Sequence, residues 1–139
     1  MTAGRAAAGL LGLMLLPALC GSQPRPAETV TPRFSHALPS QPDRVMTTVI
    51  VEFAPGARAA PHRHGDAFVY AYVLAGEVRS ALNGDAPRVY AQGSDWFEPP
   101  GAHHVLTENA SEDRAARLLV VFVHPAGAPL KPDDVEKSP

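Results

Sequence analysis

The chain of 139 residues has one cysteine, Cys20, one tryptophan and 6% aromatic residues, and its charges nearly cancel to a formal net −2 at pH 7. Each scarcity excludes something. A lone cysteine closes no intramolecular disulfide, so stability has to come from a packed core. Cys20 also lies at the end of an apolar N-terminal segment expected to be removed, which leaves nitrogen and oxygen as the donors open to any metal in the mature chain. Near-neutrality without a basic run removes the electrostatic footprint of a nucleic-acid binder or of a protein that docks on acidic membrane. The sequence holds no dinucleotide fingerprint, no phosphate-cradling glycine loop and no Ser/His/Asp or Cys/His arrangement. Its one long apolar run, Ala6 to Leu19, is too short and too Gly-rich for a membrane span.

That run follows a single early cation, Arg5, and ends in Ala18-Leu19-Cys20, close to a small-x-small cleavage pattern. Residues 1–20 are therefore expected to be a secretory signal cut before Gly21, with the mature chain periplasmic or secreted and free of membrane spans. Two alternatives stay open: an uncleaved N-terminal anchor, and a lipid anchor on Cys20. Leu19 counts against the latter, because lipoprotein signals place a small residue before the cysteine.

Residues 21–43 carry five prolines and no period, which predicts an extended lead-in arm with Phe34 and Leu38 as docking points. Residues 125–139 are again Pro-rich and charged, and fraying is expected there. Between them, residues 44–124 read as short strands. RVMTTVIVEF (44–53) stops at Pro55-Gly56, FVYAYVL (68–74) at Ala75-Gly76, and 77–82 at Asn83-Gly84, a strong hairpin signal answered by 88–91. Residues 95–98 lead into Pro99-Pro100-Gly101, 104–107 follow, and RLLVVFVH (117–124) is the most apolar strand of all. Closely spaced short strands with strong turns make this an all-β sandwich or barrel.

Four of the six histidines fall in two clusters, His62/His64 and His103/His104. Residues i and i+2 of a strand point to one side, so His62 and His64 can aim both rings at one point. A surface pair flanking Arg63 is the bland alternative. The surroundings weigh against it: Gly56-x5-His62-x-His64 reaches Gly76 twelve residues on, and Gly93-x5-Pro99-x-Gly101-x2-His104 follows. These two stretches resemble the paired motifs of the cupin superfamily, G(X)5HXH(X)3–4E(X)6G and G(X)5PXG(X)2H(X)3N, over roughly residues 45–123.

The resemblance implies an antiparallel jelly-roll β-barrel holding one divalent metal, with His62, His64 and His104 as ligands. His103 would be the alternate if the strand slipped by one residue. Two positions depart from the pattern. Val69 or Phe68 stands where the family glutamate belongs, and Asn109 comes one residue late, at a position where this chain has Glu108 first. Either the site uses three neutral imidazoles, or another carboxylate substitutes. Glu98, beside the PPG turn, is the candidate, with a solvated strand-end charge as its ordinary reading. A vestigial site without metal is the third possibility.

Three imidazoles suit Fe, Zn, Cu or Ni, and Mn less well without the negative charge. The expected function is a metal-dependent, dioxygenase-like oxidoreductase on a small organic molecule, with Glu98 or Tyr70 near an open coordination position. A lining of Val49, Val69, Val73 and Val121 would favour an apolar substrate. The alternative is a non-catalytic module that captures a metal or small ligand. A homodimer is compatible with either.

Overall fold

The computed structural model describes Met1 and residues 28–132. The expected signal segment, including Cys20, lies outside the described residues, as do residues 133–139. Among the described residues there is no helix. β1 (Thr29–Leu38), β2 (Gln41–Phe53), β5 (Phe68–Ala75), β8 (Asp95–Glu98) and β10 (Ala116–Pro125) form one antiparallel sheet in the order β1-β2-β10-β5-β8. The second sheet contains β3 (Arg58–Ala59), β6 (Glu77–Leu82), β7 (Arg88–Ala91) and β9 (His103–Asn109) in the order β3-β9-β6-β7, and β4 (His62–Arg63) also pairs with β9. Two such sheets closing on a shared interior make a jelly roll.

The interior is built by alternation. Val49, Val51 and Phe53 of β2 point inward, as do Val69, Ala71 and Val73 of β5 and Leu118, Val120 and Phe122 of β10; Val78 and Trp96 meet them. Val121, expected in this lining, is not there. β10 is apolar on both faces, so its pattern alone does not reveal which face turns inward. Its pairing does: Val121 sits opposite Thr48 and Tyr70, on the outer surface, while Val120 and Phe122 are buried.

Residues 29–38, part of the Pro-rich segment expected as an extended lead-in arm, are a strand paired along β2, and β2 itself begins at Gln41 rather than Arg44. Proline is tolerated here because β1 is an edge strand, where a missing N–H breaks no inner ladder. The register slips between Pro32 and Phe34 to accommodate it. The hairpin signal at Asn83-Gly84 locates its turn but not the turn's type. Asn83, not Gly84, takes positive φ (51°), and the connection runs from residue 83 to 87.

Gly76 joins β5 to β6 with φ 73°, and a Cβ there would lie 2.6 Å from the Ala115 carbonyl oxygen. Backbone cannot give way as a side-chain tip can. Gly76→Ala should therefore cost on the order of 3 kcal/mol, adding left-handed strain to overpacking, read as a lowered denaturation midpoint at unchanged m-value.

Candidate metal centre

Antiparallel pairing decides which histidines converge. His62 lies opposite His104 and Arg63 opposite His103 in the β4–β9 ladder. Cross-strand partners share a face, so His62 and His104 turn into the barrel, and His64, two residues on, joins them. His103 faces away; its backbone N–H donates to Asn83 Oδ1 at 3.0 Å. The PPG turn sets this register. Gly101, with φ 79°, donates its N–H to the Gly65 carbonyl at 2.7 Å, stitching the turn to the end of the His-x-His segment.

One potential ligand atom from each of His62, His64 and His104 falls within 4.8 Å of the others. Each ring is held from behind. His62 Nδ1 donates to the Ala60 carbonyl at 2.8 Å and His64 Nδ1 to the Leu130 carbonyl at 2.5 Å. A carbonyl only accepts, so both Nδ1 atoms carry the proton and both Nε2 lone pairs are free. His104 is anchored the other way round, with Nε2 at 2.7 Å from both Ser80 Oγ and Thr107 Oγ1 and Nδ1 at 3.0 Å from Glu98 Oε1.

Of the two readings of Glu98, solvated strand-end charge or substitute carboxylate, the structure removes the first. The residue is 3% exposed and sits between His104 and His64, with Oε2 3.8 Å from His64 Nε2. Strand β8 brings it there, since Trp96 and Glu98 alternate inward while Asp95 and Phe97 point out. Trp96 Nε1–H donates to Oε1 at 3.2 Å. The carboxylate thus occupies the electrostatic place of the absent family glutamate from a different strand; Val69, where that glutamate would stand, lies directly opposite Glu98 in the β5–β8 ladder.

Tyr70, the other proposed catalytic candidate, is not in the site. It lies on the outer face of β5, and its hydroxyl donates to Asp95 Oδ2 at 2.9 Å, which raises its pKa above the ordinary phenol value. Asn109 is buried, donating to the carbonyls of Ala54 and Arg114 and accepting from the Ser111 N–H. It pins a loop and does not reach the histidines. Sequence reasoning misses Ser80, Thr107 and Leu130 altogether. The inward alternation of β6 and β9 signals the first two; no sequence pattern signals a backbone carbonyl.

Burial depresses His62 to about 4 from its ordinary 6.5, with the Ala60 carbonyl opposing and the charge of Lys131 adding to it. His64 is lowered too, again chiefly by burial. Burial pushes the Glu98 carboxyl up, but the hydrogen bond and charge of His104, with smaller help from His64 and Trp96, outweigh it and leave the carboxyl below its ordinary value. Neutral imidazoles at His62 and His64 beside an ionised carboxylate are the protonation states that ligate metal.

The donor set fits a divalent cation on a second ground. Glu98 Oε2 is buried without a hydrogen-bond partner, alone in this among the described residues. Such an atom normally has a partner, and here it points into the cavity that the three histidines line. That cavity measures about 70 Å³, the liquid volume of roughly two water molecules. Val51, Phe53, Leu118, Val120 and Phe122 supply most of its apolar wall; Val49, Val69 and Val73, expected to line it, are packed in the core instead.

A small jelly-roll barrel with an inward His-x-His and a third histidine from the neighbouring strand defines a recognisable class. The cupin domain family model matches residues 49–122, and the chain belongs to that family. Among solved structures, a Thermus thermophilus protein is 30% identical, with 70% of this chain and 83% of that one covered and a TM-score of 0.56. The cupin domain of Schizosaccharomyces pombe Cnp3 is 15% identical over 76% of this chain and 70% of that one, TM-score 0.59. Oxalate oxidase in complex with the substrate analogue glycolate is 24% identical over 69% of this chain, which spans only 50% of that enzyme, TM-score 0.55. No curated protein matches.

Folded His62 titrates at about 4 and the unfolded residue near 6.5. Between those values the unfolded chain binds the extra proton, so stability falls as pH drops. Glu98, lowered on folding, adds loss in the same direction at more acid pH. The melting temperature of the metal-free protein should decline from neutral pH towards pH 4, and His62→Gln should flatten the upper part of that decline in a thermal melt series.

Proposed function

We propose that this cupin binds one divalent transition metal through His62, His64 and His104, with Glu98 as the carboxylate of the set, and acts as a dioxygenase-like oxidoreductase on a small organic molecule. The observation that carries this reading is the unpartnered, buried Glu98 Oε2 facing three convergent imidazoles in an apolar cavity. When bound, such a metal polarises a ligand oxygen or presents O₂ to a substrate held beside it. The chain's own groups do the rest. Ala60 and Leu130 fix the His62 and His64 tautomers, while Ser80 and Thr107 fix the His104 ring. The apolar wall excludes water and selects for a compact, largely apolar ligand.

The size of the cavity favours a second reading, capture of a metal or small ligand without turnover, since about 70 Å³ leaves little room for a substrate of more than a few atoms. Export to the periplasm or beyond, read from the signal-like residues 1–20, suits either role.

Protein purified without a histidine tag or chelators should carry roughly one transition metal per chain by elemental analysis, and His62→Ala and His104→Ala should lose it. A well-folded wild type that neither carries nor takes up metal would sink the reading. Glu98→Gln keeps the shape and removes the charge, and should weaken metal affinity by at least about tenfold. O₂ consumption with small organic substrates, followed by electrode, separates enzyme from binding module: uptake that depends on His104 marks turnover, and metal retention without uptake marks capture.

A further inference from the structure

The chain beyond β10 touches the centre by three separate routes. The Leu130 carbonyl accepts the His64 Nδ1 proton at 2.5 Å, across 66 residues of sequence. The Leu130 side chain packs against the hydrophobic core and, with Lys131, lines the metal-site cavity. Lys131 also pairs with Glu28, immediately before β1, and Glu28 lines the same cavity. Further back, the Ala126 N–H donates to the Asp43 carbonyl at 2.9 Å, and Pro132 lies over Gly65, one residue beyond His64.

We infer that residues 126–132 form a strap that completes the metal centre, orienting His64 through the Leu130 carbonyl and clamped in place by the Glu28–Lys131 pair. The inference rests on the reading of the histidine cluster as a metal site. Its physical basis is where free carbonyls are found. Those of the barrel strands are largely committed to ladders, so a ring nitrogen facing the interior needs an acceptor from irregular backbone. His62 finds one two residues away, in its own turn. His64 has none so close and depends on a segment outside the strand ladders, held at its near end by the Ala126 N–H and around Leu130 by side-chain contacts. Partners that fix the second nitrogen of a ligating histidine set both its tautomer and its ring angle. Leu130 is therefore a positioning residue acting through His64, and Lys131 is the residue that keeps it in place.

Electrostatics and positioning make opposite forecasts, which renders the clamp testable in the full chain. Lys131→Glu removes a cation from the cavity wall and adds an anion, which by charge alone tightens binding of a divalent cation. If the strap positions His64, the same change sets a second carboxylate against Glu28, lifts the strap and weakens binding by about tenfold. The swapped pair Glu28→Lys with Lys131→Glu restores the clamp at unchanged net charge and should recover most of the loss.

Zn²⁺ affinity would be read by competition with a chromogenic chelator, and the His64 tautomer by ¹⁵N NMR of the metal-free protein. Leu130→Ala serves as a second variant that loosens the strap without altering charge. Weaker Zn²⁺ binding in Lys131→Glu and Leu130→Ala, rescue in the swap, and loss of the Nδ1–H tautomer of His64 in the weakened variants support the strap. Equal or tighter binding in Lys131→Glu with the His64 tautomer unchanged overturns it. A wild type that takes no Zn²⁺, yet whose His64 loses its Nδ1–H tautomer in Lys131→Glu, overturns the metal reading while upholding the strap's hold on that ring.

Discussion

A carboxylate buried between two sheets is the constraint around which the rest of this barrel is arranged. Taking an ionised side chain out of water is costly unless partners replace the solvent. Glu98 has a ring nitrogen of His104 and the indole N–H of Trp96 on one oxygen, and on the other only His64, at 3.8 Å. The imidazoles in turn are held by hydroxyls and carbonyls on their far sides. Because these side chains share partners, the group behaves as one network, and its members contribute non-additively.

The fold serves that network through register. Pairing of His62 with His104 and of Val69 with Glu98 places donors from β4, β9 and β8 around one point, although none of these strands is long. A slip of one residue in β9 would turn His104 outward and bring His103 in. The Gly101 N–H bound to the Gly65 carbonyl ties the PPG turn to the segment carrying the other two histidines, and the ladders of β9 with β3 and β6 hold the same register.

Much of this is legible in the sequence. The all-β class follows from turn spacing, and the three histidines with the choice of His104 over His103 follow from the resemblance to the cupin motifs that the glycines and prolines carry. The misreadings have specific physical causes. Glu98 looks solvated because charge at a strand end usually is, and only the alternation Asp95, Trp96, Phe97, Glu98 within so short a strand turns it inward. Val121 and Tyr70 lie on strands apolar on both faces, where alternation is silent and pairing partners decide. The Pro-rich segments 21–43 and 125–139 read as an arm and a fraying tail, yet residues 29–38 are an edge strand, where proline is harmless, and residues 126–132 are docked by single contacts that no local pattern encodes. The hydroxyls of Ser80 and Thr107 and the Leu130 carbonyl act only through proximity, which a linear reading does not contain.

The Glu28–Lys131 pair has a consequence for how the barrel is made. The groups that build the site are drawn from residue 28 to residue 131, and their contacts join positions far apart in the chain, so no fragment much shorter than that span holds all of them. Folds dominated by such long-range pairings form slowly. During synthesis the His-x-His segment emerges well before Glu98, His104 and Leu130, and it must wait for the last of them. The centre is therefore finished at the end of folding, and its assembly reports that the whole topology has closed.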